Sequence, residues 1–243
     1  MFDSCWNLKS FNVDLPSLTN GSDMFFWCRA LTSFDSDLSS LTNGDGMFSW
    51  CEGLTSFNSD LPSLTNGSSM FSGCDNLASF ASNLSSLTDG GSMFNGCYNL
   101  TAFTSDLSSL TDGGSMFIGC TKLTSFSSGL PSLTNGIGMF YGCKLNETSL
   151  QNIANTIKNM SNQDSPTIDL GLFTFNETNK NTVKQIQNKG WIVKCNDSDF
   201  IDNLGQDYKY DNCQTTVHIK MIDVDYLTND IVDGTWSARL DDL

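Results

Sequence analysis

A Met-Phe pair recurs at residues 1, 24, 47, 70, 93, 116 and 139, each time 23 residues after the last. Between the pairs the same order returns. A Cys stands at the fifth place, Leu at the eighth, Phe at the eleventh, Leu at the fifteenth and eighteenth, then Thr-Asn-Gly or Thr-Asp-Gly. A fixed period of this size marks a solenoid or array, in which one unit cannot bury its apolar face alone and stacked neighbours bury it together. A solenoid works by displaying a long surface. It has no built-in cleft in which catalytic groups converge.

Stacking in register turns each recurring position into a ladder, such as Leu8, Leu31, Leu54, Leu77, Leu100 and Leu123, with aromatic ladders starting at Phe2 and Phe11. The short Leu-x-x-Phe segment predicts one strand per coil, with neighbours about 4.8 Å apart in a parallel sheet. Asp14 and its equivalents precede Leu-Pro or Leu-Ser and predict the N-cap of a one-turn helix. The Thr-Asn-Gly or Thr-Asp-Gly predicts a turn whose Gly takes positive φ, a conformation that Asn or Asp can share.

The charge of −15 argues against a phosphate-binding surface, which needs clustered Lys and Arg, so nucleic acid is not an expected partner. An anionic membrane surface is disfavoured in the same way, and no apolar run is long enough to span a bilayer. Lys180, Lys184 and Lys189 read as a solvated helix face. The one His, His218, leaves no triad to choose from, and neither a phosphate loop nor a nucleophile elbow occurs. No enzyme and no cofactor are expected. Seven of the nine cysteines are one repeat position, Cys5 to Cys143. A line of thiols cannot converge tetrahedrally on zinc, and buried Cys behaves as a small hydrophobe. Cys195 and Cys213 are left as the one plausible disulfide pair. The row Asp14, Asp37, Asp60, Asn83 and Asp106 offers stacked oxygens to a cation, but its Asn, and Gly129 in the next coil, fit capping better than metal binding.

The unit Met70-Phe71-Ser72-Gly73-Cys74-Asp75-Asn76-Leu77-Ala78-Ser79-Phe80 resembles leucine-rich repeats of the BspA-like, bacterial surface type. The resemblance departs from the family in Met where Ala is commoner, and in Asp-Leu where Leu-Pro or Ile-Pro often ends the strand. It implies an α/β fold: a right-handed leucine-rich-repeat solenoid with one short parallel strand per coil, followed by helix–strand units. It also implies adhesion or protein binding without catalysis, at the cell surface or in secreted form. A component of a phage particle, associated with tail or fibre, is the alternative, with the virion as its location.

Three stretches are expected. Residues 1–143 form the repeat solenoid. Residues 144–196 form a helix–strand–helix–strand continuation or cap, with helices over 149–160 and 179–188, strands over 167–173 and 191–195, and Gly190 as a stop. Residues 197–243 form a polar linker and the start of a second array. Trp236, Leu240 and Leu243 repeat the spacing of Phe11, Leu15 and Leu18, so the chain reads as a piece of a longer protein.

Function should be written in the variable positions. The early coils carry Trp6, Phe26, Trp27 and Trp50 where later coils have mostly small residues. Grouped exposed aromatics are typical hot spots, and these four are the expected contact residues for a protein or glycan ligand. The alternative is that they fold down over the edge of the core.

Overall fold

The computed structural model describes residues 1–161, 166–173 and 176–195. Each coil contributes one two-residue strand: β1 (Ser10–Phe11), β2 (Ser33–Phe34), β3 (Ser56–Phe57), β4 (Ser79–Phe80), β5 (Ala102–Phe103) and β6 (Ser125–Phe126). They pair in parallel, with each Phe level with the Phe one repeat on. The strand row is hydrogen-bonded two by two, β1 with β2, β3 with β4 and β5 with β6. The unbroken parallel ladder lies elsewhere, through Asn20, Asn43, Asn66, Asp89, Asp112 and Asn135.

Two phenyl stacks run through the core beside these ladders. Rings at the second repeat position stack with centroids 5.3–5.6 Å apart and planes within 0–7°. Rings of the strand row stack at 5.7–6.0 Å. The two stacks mesh edge to face at 4.7–6.0 Å and 60–76°, the geometry that ring quadrupoles prefer. The wider stack lies on the strand side. Its spacing exceeds the roughly 4.8 Å of adjacent strands and is alike between paired strands, 5.7–5.9 Å, and unpaired ones, 5.8–6.0 Å, so the rings run through the array without regard to which strands bond.

The thiol ladder has a polar role besides a packing one. Each Sγ from Cys28 to Cys143 donates to the carbonyl of the Phe 26 residues earlier, at 3.0–3.3 Å. That carbonyl also accepts the N–H of the Cys in its own coil, as Phe48 O does from Cys51. Both acceptor sites of a buried oxygen are thereby used. Cys28 to Cys143 are buried free thiols and Cys5 is exposed. Cys195 is disulfide-bonded, and Cys213 lies outside the described residues.

Two turn expectations change. The Gly of Thr-Asn-Gly is not the left-handed residue. Positive φ falls instead at the twenty-third position, as in Asp23, Gly46, Ser69, Ser92 and Ser115, and at the fourth. The Gly is there for close approach: a Cβ on Gly21 would lie 2.7 Å from Met47 Sδ. The preceding Asn or Asp accepts the N–H two residues on, as Asn66 does from Ser68 at 2.9 Å. The Asp row forms similar turns and caps no helix. Asp37, Asn83 and Asp106 each accept the N–H of a Ser two residues later at 2.8–2.9 Å. Where that place is Pro16 or Pro62 there is no N–H to accept. Asp14 and Asp60 reach instead to the N–H of Asp37 and Asn83 in the next coil.

Beyond the repeats lie α1 (Glu147–Thr156), β7 (Thr167–Asp169), α2 (Glu177–Asn188) and β8 (Ile192–Lys194). Helix α1 begins earlier than its apolar face predicts, because Asn146 caps it by accepting from Ser149 N. Leu150, Ile153, Ala154, Ile157 and Met160 are buried as the helical spacing predicts, although the helix ends at Thr156. Strand β7 is shorter than predicted because Gly171 turns at φ +76, where a Cβ would strike Phe140 O. It bridges to Gly136 and pairs with β8, so it extends the Asn/Asp ladder rather than the strand row. Lys189 is not a solvated cation: its Nζ donates to the carbonyls of Ala154, Asn155 and Ile157 at the end of α1. Residues 197–243, with the expected linker and second array, lie outside the described residues.

The core predicts a sharp contrast of register. Phe57 is fully buried and Asn58 is exposed. Phe57→Asp places a carboxylate between phenyl rings and should cost several kcal/mol or abolish folding. Asn58→Asp should move stability by no more than about 0.5 kcal/mol. Urea unfolding of the two variants checks this.

The thiols predict an alkaline loss of stability. Burial raises the thiols of Cys28, Cys51, Cys74 and Cys97 above their ordinary range. Unfolded thiols ionise near about 8.5. Below that pH both states hold their protons and stability is undiminished. Above it only the unfolded chain releases them, so stability falls as pH rises toward the folded values. The urea midpoint should be flat from pH 6 to 7 and decline steadily from pH 8 to 10, and a Cys74→Ala/Cys97→Ala variant should decline less. Native thiol labelling of these residues should be slow throughout.

Candidate binding face

The variable aromatics sit on the turn that follows each Met-Phe pair, not on the strands. In every coil the fourth residue of this turn is left-handed: Ser4, Trp27, Trp50, Gly73, Gly96, Gly119 and Gly142 have φ between 57 and 82°. Its N–H donates to the next coil, as Trp27 N does to Ser49 O and Trp50 N to Ser72 O, so the conformation is fixed by the stack. The four later coils meet the requirement with Gly. Coils two and three meet it with Trp, at a backbone cost of about 1–2 kcal/mol each. Strain of this kind, held in place by surrounding structure, clusters at functional sites.

The indoles are not buried. Trp27 is 38% and Trp50 44% exposed, and Trp6 62%. Phe26 is half-buried and stacks on Trp27 at 6.0 Å. Trp50 leans along the array over Gly73, where an added Cβ would lie 2.9 Å from the indole. The structure therefore joins Phe26 to Trp27 and sets Trp50 one coil on. Among the described residues Trp6 makes no ring contact with that group.

Three further residues complete the face. Arg29 places its guanidinium carbon 5.1 Å from the centre of the Trp27 ring and its Nε 3.2 Å from Glu52 Oε1. Tyr98, half exposed, lies over the glycine row, its Cε1 3.5 Å from where a Gly119 Cβ would stand. Arg29, Glu52 and Tyr98 share the sixth repeat position with Trp6. The signal for the ion pair was present in the sequence: opposite charges 23 residues apart are neighbours in such a stack. The sixth position also holds Asp75, whose carboxyl is raised by partial burial and by the nearby Glu52. The Asp row at the fourteenth position gathers no ion-binding group. Among the described residues, no three His, Cys, Asp or Glu side chains converge as metal ligands.

The pattern of the BspA-type leucine-rich repeat region matches residues 1–77 and 44–169, in six copies. The chain belongs to the BspA-type leucine-rich repeat family. Neither the curated proteins nor the solved structures yield a match. The BspA-type repeat is a protein-interaction unit, which agrees with a face that offers exposed rings and charges along a rigid row.

The strain at the fourth position predicts an unusual tolerance. Trp27→Gly and Trp50→Gly relieve about 1–2 kcal/mol of left-handed strain each. Glycine's freedom in the unfolded chain offsets about 0.5–1 kcal/mol of that. The buried part of each ring also loses its packing, so the glycine variants should change unfolding free energy by no more than about 2–3 kcal/mol per site and remain folded. Alanine at either place keeps a Cβ in the left-handed region and should be less stable than glycine. Thermal unfolding of the glycine and alanine series checks the order.

Proposed function

We propose that this array is a non-catalytic binding module of a cell-surface or secreted protein, and that it holds a protein partner by the aromatic face of its first coils. The observation that carries this reading is the pair Trp27 and Trp50. Both are exposed and both occupy a backbone conformation that later coils assign to Gly. Each ring packs partly on the array, yet the exposed part of a large amphipathic ring gains most when a partner covers it. Phe26 widens the Trp27 platform, and Trp6 adds a separate contact on the first coil. Residues 144–196 serve in this reading as the cover of the array's far end, with α1 and β7 continuing its two sides. Surface adhesion is the role that fits the family and the rigid display.

Surface plasmon resonance against a panel of immobilised secreted and cell-surface proteins tests the reading. A partner bound by the wild type should bind the Trp27→Gly/Trp50→Gly variant at least about 30-fold more weakly, as expected for loss of hot spots worth 2 kcal/mol or more. Thermal unfolding of the same sample should still show one cooperative transition well above the assay temperature. Equal binding by both proteins would remove this face from consideration.

A further inference from the structure

Resting on that reading, we infer that the Trp50 face recognises a cationic side chain of its partner, an arginine before a lysine, between the indole and the carboxylates of Glu52 and Asp75. The array contains its own template for such a site. In coil two the guanidinium of Arg29 lies over Trp27 and pairs with Glu52. One repeat later the residues in these three places are Trp50, Glu52 and Asp75. The aromatic and the distal carboxylate recur, and a carboxylate stands where the cation was.

The repeat makes this comparison physical. Trp27 and Trp50 have φ of 60 and 62°, and each donates its N–H to the coil that follows, so the two backbones present their side chains alike. Glu52 and Asp75 hold the same repeat position in adjacent coils of an in-register stack, and burial and Glu52 both raise the Asp75 carboxyl. Glu52 keeps its pair with Arg29, so Asp75 supplies the main charge to a partner's cation, which also gains the ring face, and both interactions favour a planar guanidinium over a hydrated ammonium. Residues 1–143 carry 12 Asp and Glu against three Lys and Arg, an excess of negative charge that draws a basic segment toward the array. Trp50 covers Gly73 and Tyr98 covers Gly119, so the two rings stand along one row. The occupant is therefore an exposed arginine-bearing segment of a protein.

The test uses the whole chain and a blocked peptide of alternating glycine and arginine, with citrulline and lysine counterparts. Citrulline keeps the shape of arginine and removes the charge. Indole N–H resonances report each Trp separately. The arginine peptide should shift Trp50 saturably, the lysine peptide more weakly, and the citrulline peptide at least about tenfold more weakly. Asp75→Asn should weaken the arginine titration about fivefold or more without altering thermal unfolding. Arg29→Ala should open the template and add a second saturable shift, at Trp27. Equal titration of Trp50 by arginine and citrulline peptides, or no shift at Trp50 with either, would overturn the inference. The aromatic face would still stand if Trp27→Gly/Trp50→Gly lost its partner. If that variant kept its partner, the underlying reading would fail as well.

Discussion

The edge-to-face meshing of two phenylalanine stacks is the constraint on which the rest of the array depends. Each strand-row ring touches the second-position ring of its own coil and of the next, as Phe57 touches Phe48 and Phe71. A ring therefore ties two coils together and has one place to lie. The contacts hold only if every coil returns to the same phase, which makes the 23-residue period a packing requirement. The Met row closes against the backbone of glycines two coils back, and the thiols fill the remaining gap while satisfying the Phe carbonyls. Buried aromatic pairs of this kind contribute about 0.5–1.5 kcal/mol each beyond their area.

The polar ladders supply the backbone hydrogen bonds that the strand row lacks. A stack whose strands pair only two by two must hydrogen-bond its backbone elsewhere, because unpaired buried N–H and C=O groups are costly. The turn side does this. Gly21, Asp23, Phe25 and Trp27 donate in succession to the coil that follows, and Thr42 donates by N–H and Oγ1 to Thr19 O in the coil before. The same regularity fixes the left-handed fourth residue on the surface. Packing in the core thus decides where an exposed Trp is strained, and links the fold to the face we assign to binding.

Periodicity is what made the array legible. Identical positions 23 apart must be neighbours, so Phe11 over Phe34, Cys51 over Cys28 and Leu38 over Leu15 follow without any structure. Information carried by φ was less accessible. The Gly of Thr-Asn-Gly looks like a turn glycine, and only the Met47 sulfur above Gly21 shows that its lack of a Cβ is the point. The true left-handed sites accept Asp23, Gly46 and Ser69 alike, so composition does not mark them. Asp14 and Asp37 look equivalent until Pro16 and Ser39 are compared. In the face, the rings of Trp27 and Trp50 were readable from their position. The Arg29–Glu52 pair required reading charges across coils, and which rings touch was set by side-chain directions that spacing does not encode.

Deleting one coil tests the packing account most directly. Removal of residues 70–92 takes out a whole period and leaves every ladder in phase. Removal of 70–91 takes one residue fewer and throws all later rings out of register. Urea unfolding should show the first variant folded, with a single cooperative transition and a smaller m-value than the full chain. The second should show no cooperative transition that includes both sides of the deletion. Equal cooperativity in the two variants would contradict the claim that meshed phenylalanine stacks set the period.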